Sequence, residues 1–158
     1  MTVTKAGGGE KIVCVNRRAR FEYEILETFE AGMVLKGTEV KSLRQGQASI
    51  KEAFGDIAAG EVFLVDSHIP PYTLGNIHNH EPKRRRKLLL GRREIRRLAG
   101  KTSEKGLTLV PLRIYFRRGL AKIELALARG KKIHDKRETI RRREAKREME
   151  REARRHLR

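Results

Sequence analysis

The sequence predicts a mainly β fold, an OB-like antiparallel β-barrel with about three flanking helices and a flexible basic C-terminal tail. Short stretches of alternating apolar and polar residues recur along the first 130 residues and are separated by short turns. The stretches with helical spacing do not alternate regularly with these strands, which argues against a parallel βαβ sheet. After residue 130 apolar side chains are too sparse to form a core.

The first third of the chain is predicted to contain a disordered lead, a strand and a helix. Residues 1–11 are polar and include three consecutive glycines, so we expect no packed structure there. Apolar side chains alternate strictly over residues 21–25, which predicts a half-buried strand that residues 30–32 end. From residue 33 to residue 44 the apolar spacing is helical, and Gly46 is the expected stop.

A hairpin and a second helix are predicted next. The segments 49–58 and 61–69 alternate on either side of a short turn, and two prolines end the second segment. The basic run Lys83–Lys87 leads into a stretch with apolar residues on one helical face and arginines off it. This helix is predicted from Leu88 to Gly100, with Gly91 in its interior.

Two final strands complete the predicted body. In residues 107–116 the apolar set changes from odd to even positions at Pro111, which predicts a β-bulge. Residues 117–119 are the expected turn, and the apolar residues alternate again over 121–127. The domain organisation is therefore a disordered lead over 1–11, an OB-like barrel over 12–130 and a tail over 131–158.

The charge of the chain indicates a polyanionic partner. There are 38 Lys and Arg against 20 Asp and Glu, the net charge is +18, and the pI is near 10.8. Only 5% of the residues are aromatic, so base stacking is a weak option and recognition of the shape and phosphates of folded RNA is favoured. The basic residues that we expect to contact RNA are Arg18, Arg20, Lys83, Arg84, Arg85, Arg86 and Lys87. Arg92, Arg93, Arg96 and Arg97 continue this row of charge beside the leucine-rich stretch, and RNA contact is favoured over a merely solvated face for the row as a whole.

The tail is predicted to be a coil when free and a helix when it lies against RNA. From residue 129 to the end there are fourteen Lys and Arg against six Asp and Glu. Ordering the backbone costs roughly 1–2 kcal/mol per residue, and the tail has little apolar surface to offset that cost. Acid–base pairs at helical spacing each add only about 0.2–0.5 kcal/mol. These pairs are Glu138–Arg142, Glu144–Arg147, Glu148–Arg151 and Glu150–Arg154.

Catalytic and cofactor motifs are not found in the sequence. It contains no phosphate-binding loop, nucleophile elbow or two-metal site, so we expect no enzyme activity and no cofactor. His78 and His80 are interpreted as loop histidines rather than metal ligands. The single Cys14 excludes an internal disulfide and fits a reducing cytoplasm, and no signal peptide or membrane span is expected.

Four ordered motifs resemble one known family. They are Glu30–Gly32, Lys36–Arg44 with Gly46, Arg86–Leu90 and Gly130–Arg137. In these motifs the chain resembles small protein B (SmpB), the bacterial tmRNA-binding or SsrA-binding protein family. The resemblance covers about residues 12–158. It implies an OB-like barrel that binds the tRNA-like domain of tmRNA in trans-translation, the rescue of ribosomes that have stalled on mRNA without a stop codon.

The resemblance also implies partners and site residues. The partners are tmRNA, the small-subunit rRNA at the decoding centre and vacant mRNA channel of the ribosome, and, indirectly through tmRNA, elongation factor Tu and alanyl-tRNA synthetase. The protein would occupy the place of the missing anticodon arm. Positions implied in tmRNA binding are Asn16, Glu30 and Leu89. Tail positions implied in ribosome binding are Gly130, Lys131, Lys132, His134, Asp135, Lys136, Arg137 and Met149, whereas Phe21 stands where some relatives have His.

Two other function classes compete with this interpretation. One is a ribosomal-protein-like or RNA-chaperone protein with a generic basic tail, and the other is an RNA-processing enzyme. For Glu30 two roles are open, because its carboxylate could accept hydrogen bonds from RNA or could hold a neighbouring arginine.

Overall fold

The computed structural model describes residues 9–75, 78–104, 106–131 and 133–157. Within these ranges the chain forms seven strands and four helices. The strands are β1 (Glu10–Val15), β2 (Tyr23–Met33), β3 (Phe54–Ala58), β4 (Glu61–Val65), β5 (Arg86–Leu89), β6 (Leu107–Arg117) and β7 (Leu120–Gly130). The helices are α1 (Ala19–Glu22), α2 (Gly37–Arg44), α3 (Arg92–Thr102) and α4 (Ile133–His156).

The strands pair into a closed ring. All neighbours are antiparallel in the order β1-β6-β3-β4-β5-β2-β7, and β6 also pairs with β7. The ring of pairings therefore contains β2 to β7, and β1 lies outside it on β6. It closes where Gly55 of β3 meets Leu109 of β6, and a Cβ at Gly55 would lie only 2.7 Å from the Leu109 Cβ. The predicted mainly β, OB-like class is confirmed.

The predicted bulge and turn near the end of the body are present. The register of β6 against β7 shifts between Pro111 and Arg113. Arg118 and Gly119 form the tight turn with φ angles of 51° and 78°, a left-handed geometry that glycine adopts without strain. The bulge differs from the prediction in one respect. Leu112 packs outside the barrel rather than inside, because the bulge turns it away from the core.

Two apolar clusters hold the body together. The larger one fills the barrel and includes Leu43 of α2, Leu98 of α3 and residues from β2 to β7, so these two helices close the barrel against its strands. The smaller one lies on the outside of β6 and β7, where Ala19 of α1 packs with Val110 and Ala126. Both faces of this strand pair are thus covered near the bulge.

The boundaries of the first strand and helix differ from the prediction. Phe21 belongs to the short helix α1, and β2 begins at Tyr23 and continues through residues 30–32 to Met33. β2 pairs with β7 along nearly its whole length, so cross-strand pairing overrides the local break signal at Gly32. α2 begins at Gly37 rather than at residue 33, because the backbone N–H of Lys36 is capped by the carboxylate three residues further on.

The second hairpin and the second helix are also shorter or shifted. β3 begins only at Phe54, and the preceding residues form a single bridge between Ser49 and His68. The hairpin turn itself lies where predicted. Leu88 lies in β5 and not in a helix, Gly91 is the N-cap of α3, and the helix continues past Gly100 to Thr102. Two of the three consecutive leucines, Leu88 and Leu89, therefore lie in β5, which pairs with β4 and β2.

The two ends of the chain are described in part. Of the predicted lead, residues 1–8 lie outside the described residues, whereas β1 already begins at Glu10. The tail is one helix from Ile133 to His156, in agreement with its helical spacing. Its predicted disorder in the free protein stays a prediction.

Candidate nucleic-acid interface

Cross-strand register brings four residues together on the outer surface of the barrel. Gly32 of β2 lies opposite Leu89 of β5 on one side and opposite Lys122 of β7 on the other. Residues directly opposite each other in a sheet lie on the same face. Glu30 lies on this face too, because it is two positions before Gly32 on β2. Leu89 is 52% exposed although it is apolar. We refer to Glu30, Gly32, Leu89 and Lys122 as the Leu89 surface.

Gly32 makes the Leu89 surface compact. A Cβ placed on Gly32 would lie 3.4 Å from the Leu89 Cβ and 3.8 Å from Lys122 Nζ. The leucine side chain and the ammonium group therefore approach each other over a position without a side chain. Lys122 was not among the predicted RNA-binding residues. Its outward position on β7 was visible in the alternation, but only the register of three strands places it beside Leu89.

Glu30 is tied to a network of charged side chains on the same side of the barrel. Arg117 Nη1 donates a hydrogen bond to Glu30 Oε2 at 2.6 Å, and its other terminal nitrogen donates to Glu10. Arg113 bridges Glu10 and Glu124, with Nε 2.5 Å from Glu124 Oε2. Of the two roles left open for Glu30, the structure therefore contains the pairing with a neighbouring arginine. About a third of the Glu30 side chain, 35%, remains exposed and available to a further donor.

The network perturbs the protonation of its members. The hydrogen bond from Arg117 lowers the pKa of Glu10 from its ordinary value, although burial acts in the opposite direction. Tyr115 lies beneath the guanidinium of Arg113, at 4.3 Å from the ring centroid. Burial and the carboxylate of Glu30 raise the pKa of this tyrosine. Glu10 and Tyr115 thus keep the surface arginines in place with fixed charge states at neutral pH.

Asn16 lies in a different part of the barrel from the Leu89 surface. Its Nδ2 donates to the carbonyl of Pro111 at 3.0 Å and faces the carbonyl of Ile50 at 3.5 Å. Its Oδ1 is buried and has no hydrogen-bond partner among the described residues. The side chain borders an open pocket whose rim includes Arg18 and Lys51. The amide oxygen could accept a hydrogen bond from a group that enters this pocket.

Arg86 is not a surface residue, and its predicted RNA contact is a correction required by the structure. The side chain is fully buried. Its Nε donates to Glu39 Oε2 at 2.5 Å, and its terminal nitrogens donate to Ser67 and to the carbonyls of residues 81 and 82. All five N–H groups of the guanidinium are therefore used inside the protein. No donor is left for a phosphate.

Glu39 is the buried partner that organises this part of the basic run. It is fully buried, and Arg84 Nη2 donates to its second oxygen at 2.6 Å. Burial by itself would raise the pKa of Glu39, but hydrogen bonds from Arg84, the Lys36 backbone and Arg86 lower it below its ordinary value. The carboxylate thus caps α2 and neutralises two residues that the sequence suggested for RNA binding.

The other members of the basic run are partly neutralised as well. Arg85 forms an ion pair with Asp56 at 2.7 Å and covers the Phe63 ring at 4.4 Å. Lys87 forms an ion pair with Glu61 at 2.9 Å. Lys83 is exposed and has no ion-pair partner in the described part of the chain. The run is therefore a weaker candidate for phosphate contact than its charge suggests.

α1 and the start of the tail lie together. Arg18 and Arg20 are both exposed. Lys131 Nζ donates to the Arg20 carbonyl at 3.1 Å and to Thr139 Oγ1 at 2.8 Å. The guanidinium of Arg143 lies 5.6 Å from the centre of the Phe21 ring. The first turns of α4 are thereby attached to α1.

The remaining tail residues follow one helix. Gly130 is the last residue of β7 and pairs with the first residue of β2. Lys132 lies outside the described residues, as do the side chains of His134 and Asp135. Lys136 is half-buried, and Arg137 and Met149 are exposed. In the described ranges no hydrogen bond or ion pair joins the predicted tail motif to the Leu89 surface.

The two histidines of the loop before β5 are not arranged as metal ligands. His80 is buried between the Thr38 hydroxyl, 2.8 Å from Nδ1, and the Ile69 carbonyl, 2.8 Å from Nε2. His78 is exposed. Among the described residues no three His, Cys, Asp or Glu side chains form a group that could hold a metal ion. In the same residues no helix is both long enough and apolar enough to cross a membrane.

Comparison with known proteins identifies similar chains over nearly the full length. The protein family described as "SmpB protein" matches residues 13–155. The SsrA-binding protein of Desulforudis audaxviator (strain MP104C) is 63% identical over 145 residues, which are 92% of this chain and 95% of that relative. The SsrA-binding protein of Pelotomaculum thermopropionicum (strain DSM 13744 / JCM 10971 / SI) is 62% identical over 141 residues, 89% of this chain and 92% of the relative. A chain of the solved structure "tmRNA-SmpB: a journey to the center of the bacterial ribosome" is 55% identical, superposes with a TM-score of 0.66, and the match covers 82% of this chain and 94% of that one.

Proposed function

The chain belongs to the SmpB family, and we propose that it is a non-enzymatic tmRNA-binding factor of trans-translation that acts on stalled ribosomes. The observation that carries the proposal is the match of residues 13–155 to this family, together with relatives that are named for binding SsrA RNA. The net charge of +18 supports a polyanionic partner.

The barrel is the part that holds tmRNA in this proposal. The Leu89 surface offers an apolar contact at Leu89, a cation at Lys122 and a partly exposed carboxylate at Glu30. Such a combination suits the tRNA-like domain, where a protein reads shape, sugars and phosphates more than base sequence. Asn16 contributes a second contact through its buried amide oxygen, which has no partner among the described atoms. Arg18, Arg20 and Lys83 add exposed positive charge.

The tail is the part that senses the ribosome. With tmRNA bound, the protein takes the place of the missing anticodon arm, and the segment from Gly130 to Arg137 reaches the decoding centre. The remainder of α4, including Met149, lies along the mRNA channel. A channel walled by RNA phosphates attracts a basic helix, but only an empty channel has room for one. Entry of the tail would thus report that the message has ended.

Other partners follow through tmRNA. Elongation factor Tu and alanyl-tRNA synthetase recognise the tRNA-like RNA, and the protein meets them only indirectly. The setting of these reactions is the cytoplasm, in agreement with the single cysteine.

Capture of bound RNA tests the proposal directly. The full chain is isolated from cells with its RNA, and the RNA is sequenced. We expect strong enrichment of one tRNA-like RNA over ribosomal RNA. A broad mixture of ribosomal and messenger RNA would contradict the proposal and favour an RNA-chaperone function.

Truncation separates the roles of barrel and tail. A chain that ends before Ile133 should retain its affinity for tmRNA and lose tagging of nascent chains on stalled ribosomes. The matched variant is Glu30→Ala in the full chain. It should weaken tmRNA binding, the step that the truncation leaves intact, while its circular dichroism spectrum stays unchanged. Equal losses of RNA affinity and tagging in the truncated chain would contradict the division of labour.

A further inference from the structure

The outer face of α3 is a row of arginines that ends at a glycine. Leu98 is buried and Ile95 packs on the barrel core, so the opposite side of the helix faces solvent. At 100° per residue that side carries Arg93, Arg96, Arg97 and Gly100, with Arg92 at its border. We refer to these five residues as the α3 arginine face.

Three of the four arginines of this face differ from the cations of the basic run 83–87 in being free, and the fourth, Arg97, pairs with Glu27. Arg92, Arg93 and Arg96 are exposed and make no ion pair, side-chain hydrogen bond or ring contact with any described residue. In the basic run, by contrast, four of the five cations are held by Glu39, Asp56 or Glu61. A cation without a protein partner binds phosphate without first breaking an ion pair, and each such contact releases a counterion.

Gly100 has no explanation within the fold. It lies in the last turn of α3, two residues before the helix ends, and alanine has the higher helix propensity. A Cβ at this position would meet no atom within 4 Å, and its φ angle is not in the left-handed region, so neither packing nor backbone geometry requires glycine. Its position one turn after Arg96, on the same side as Arg93 and Arg97, leaves the helix backbone uncovered at the C-terminal end of the positive row. Such a gap admits a bulky partner such as a sugar–phosphate chain.

The α3 arginine face is connected to the Leu89 surface. α3 begins three residues after Leu89, and Arg97 forms an ion pair at 2.9 Å with Glu27 of β2, the strand that also carries Glu30. We propose that the α3 arginine face binds the phosphate backbone of the same tRNA-like RNA that the Leu89 surface contacts. The planar guanidinium forks match phosphate oxygens, and the row extends the footprint of that RNA along the barrel. This inference rests on the proposed function.

Two variants that each remove three positive charges test the role of the α3 arginine face. In the first, R92Q/R93Q/R96Q removes three free cations, and in the second, R85Q/K87Q/K101Q removes three cations that are paired with acids. Affinity for purified tmRNA is measured for both full-length chains between 0.1 and 0.5 M salt. For the first variant we expect the logarithmic salt slope to fall by about three and the affinity at 0.1 M to fall by roughly 10²-fold. The second should lose less than one unit of slope.

G100A provides an independent readout. Since a Cβ fits there, the variant should unfold at the same temperature as the parent chain or higher, and it should bind tmRNA several-fold more weakly. Equal losses in the two triple variants would overturn the proposal, because net charge alone would then explain them. So would unchanged tmRNA affinity with weaker ribosome binding, which would assign the face to ribosomal RNA. Unchanged tmRNA binding by G100A would overturn the assignment of an open backbone to the contact.

The experiment also separates this inference from the proposed function. If the parent chain shows no preference for tmRNA over an unrelated folded RNA, the proposed function fails. If the parent shows that preference and E30A weakens it, but R92Q/R93Q/R96Q behaves like its paired-cation control, only the assignment of the α3 arginine face fails.

Discussion

Replacement of Arg86 by methionine separates a structural role from an RNA-binding role. Methionine replaces the aliphatic stem of the arginine but has no donor, so Glu39 stays buried without the hydrogen bond from Arg86 Nε. It also strips hydrogen bonds from Ser67 and from the carbonyls of residues 81 and 82. Removal of one partner of a buried ion pair costs about 3–5 kcal/mol, because a desolvated charge is left behind. Arg84 still contacts Glu39, so the lower half of that range is expected.

This loss is large enough to measure without ambiguity. For a body of this size, about 3–4 kcal/mol corresponds to a fall in the unfolding temperature of roughly 10–15 °C. Urea unfolding followed by circular dichroism gives the free energy, and Lys83→Met is the matched control. Lys83 is exposed without an ion pair among the described residues, so that variant should stay within about 0.5 kcal/mol of the parent. An R86M chain that unfolds like the parent and loses only RNA affinity would refute the buried-network reasoning.

Three further predictions concern barrel closure, acid stability and thiol reactivity. Gly55→Ala should destabilise the fold by about 1–3 kcal/mol in urea unfolding, because its Cβ would lie 2.7 Å from that of Leu109; an unchanged midpoint would contradict the close approach. The pKa values of Glu10 and Glu39 are lowered in the folded chain, so both stabilise it above the ordinary carboxyl pKa of 4.5, and this stability is lost as the pH falls through their folded values. Unfolding at pH 7 and pH 3 should show a smaller acid loss for Glu39→Gln than for the parent. Burial raises the pKa of Cys14 to about 11, so a thiol reagent at pH 8 should modify it slowly in the native chain and rapidly in urea.

The tail helix gains little from packing. Ile140, Met149 and Leu157 of the tail are 41%, 71% and 86% exposed, so the apolar stripe that its sequence contains buries little surface. Its attachment to the body includes contacts to α1 from Lys131, just before the helix, and from Arg143 in its third turn. The predicted pairs Glu144–Arg147, Glu148–Arg151 and Glu150–Arg154 do not form ion pairs in the described part of the tail, so beyond its first turns the helix is supported mainly by its own backbone hydrogen bonds. That most of the tail orders only against RNA stays a prediction, which hydrogen exchange on the free chain would test.

The sequence by itself determined the elements whose cause is local. Alternation predicted the two long strands before the tail, Pro111 predicted the bulge where their register shifts, and the turn was expected at residues 117–119, where Gly119 adopts a left-handed backbone. Composition alone predicted a polyanionic partner, and it predicted that the tail has no apolar core of its own. These features depend on residues within a few positions of one another, so a linear reading contains the required information.

Only the tertiary structure decided which charges are free. The basic run 83–87 suggested RNA contact, but Glu39, more than forty positions earlier, buries Arg86 and neutralises Arg84. In the same way, Lys122 lies beside Leu89 only because of the register of three strands. Glu30 forms an ion pair with Arg117, a residue of a different strand. A charge can bind a partner only if no closer opposite charge already holds it, and that neighbour is fixed by long-range pairing rather than by local pattern.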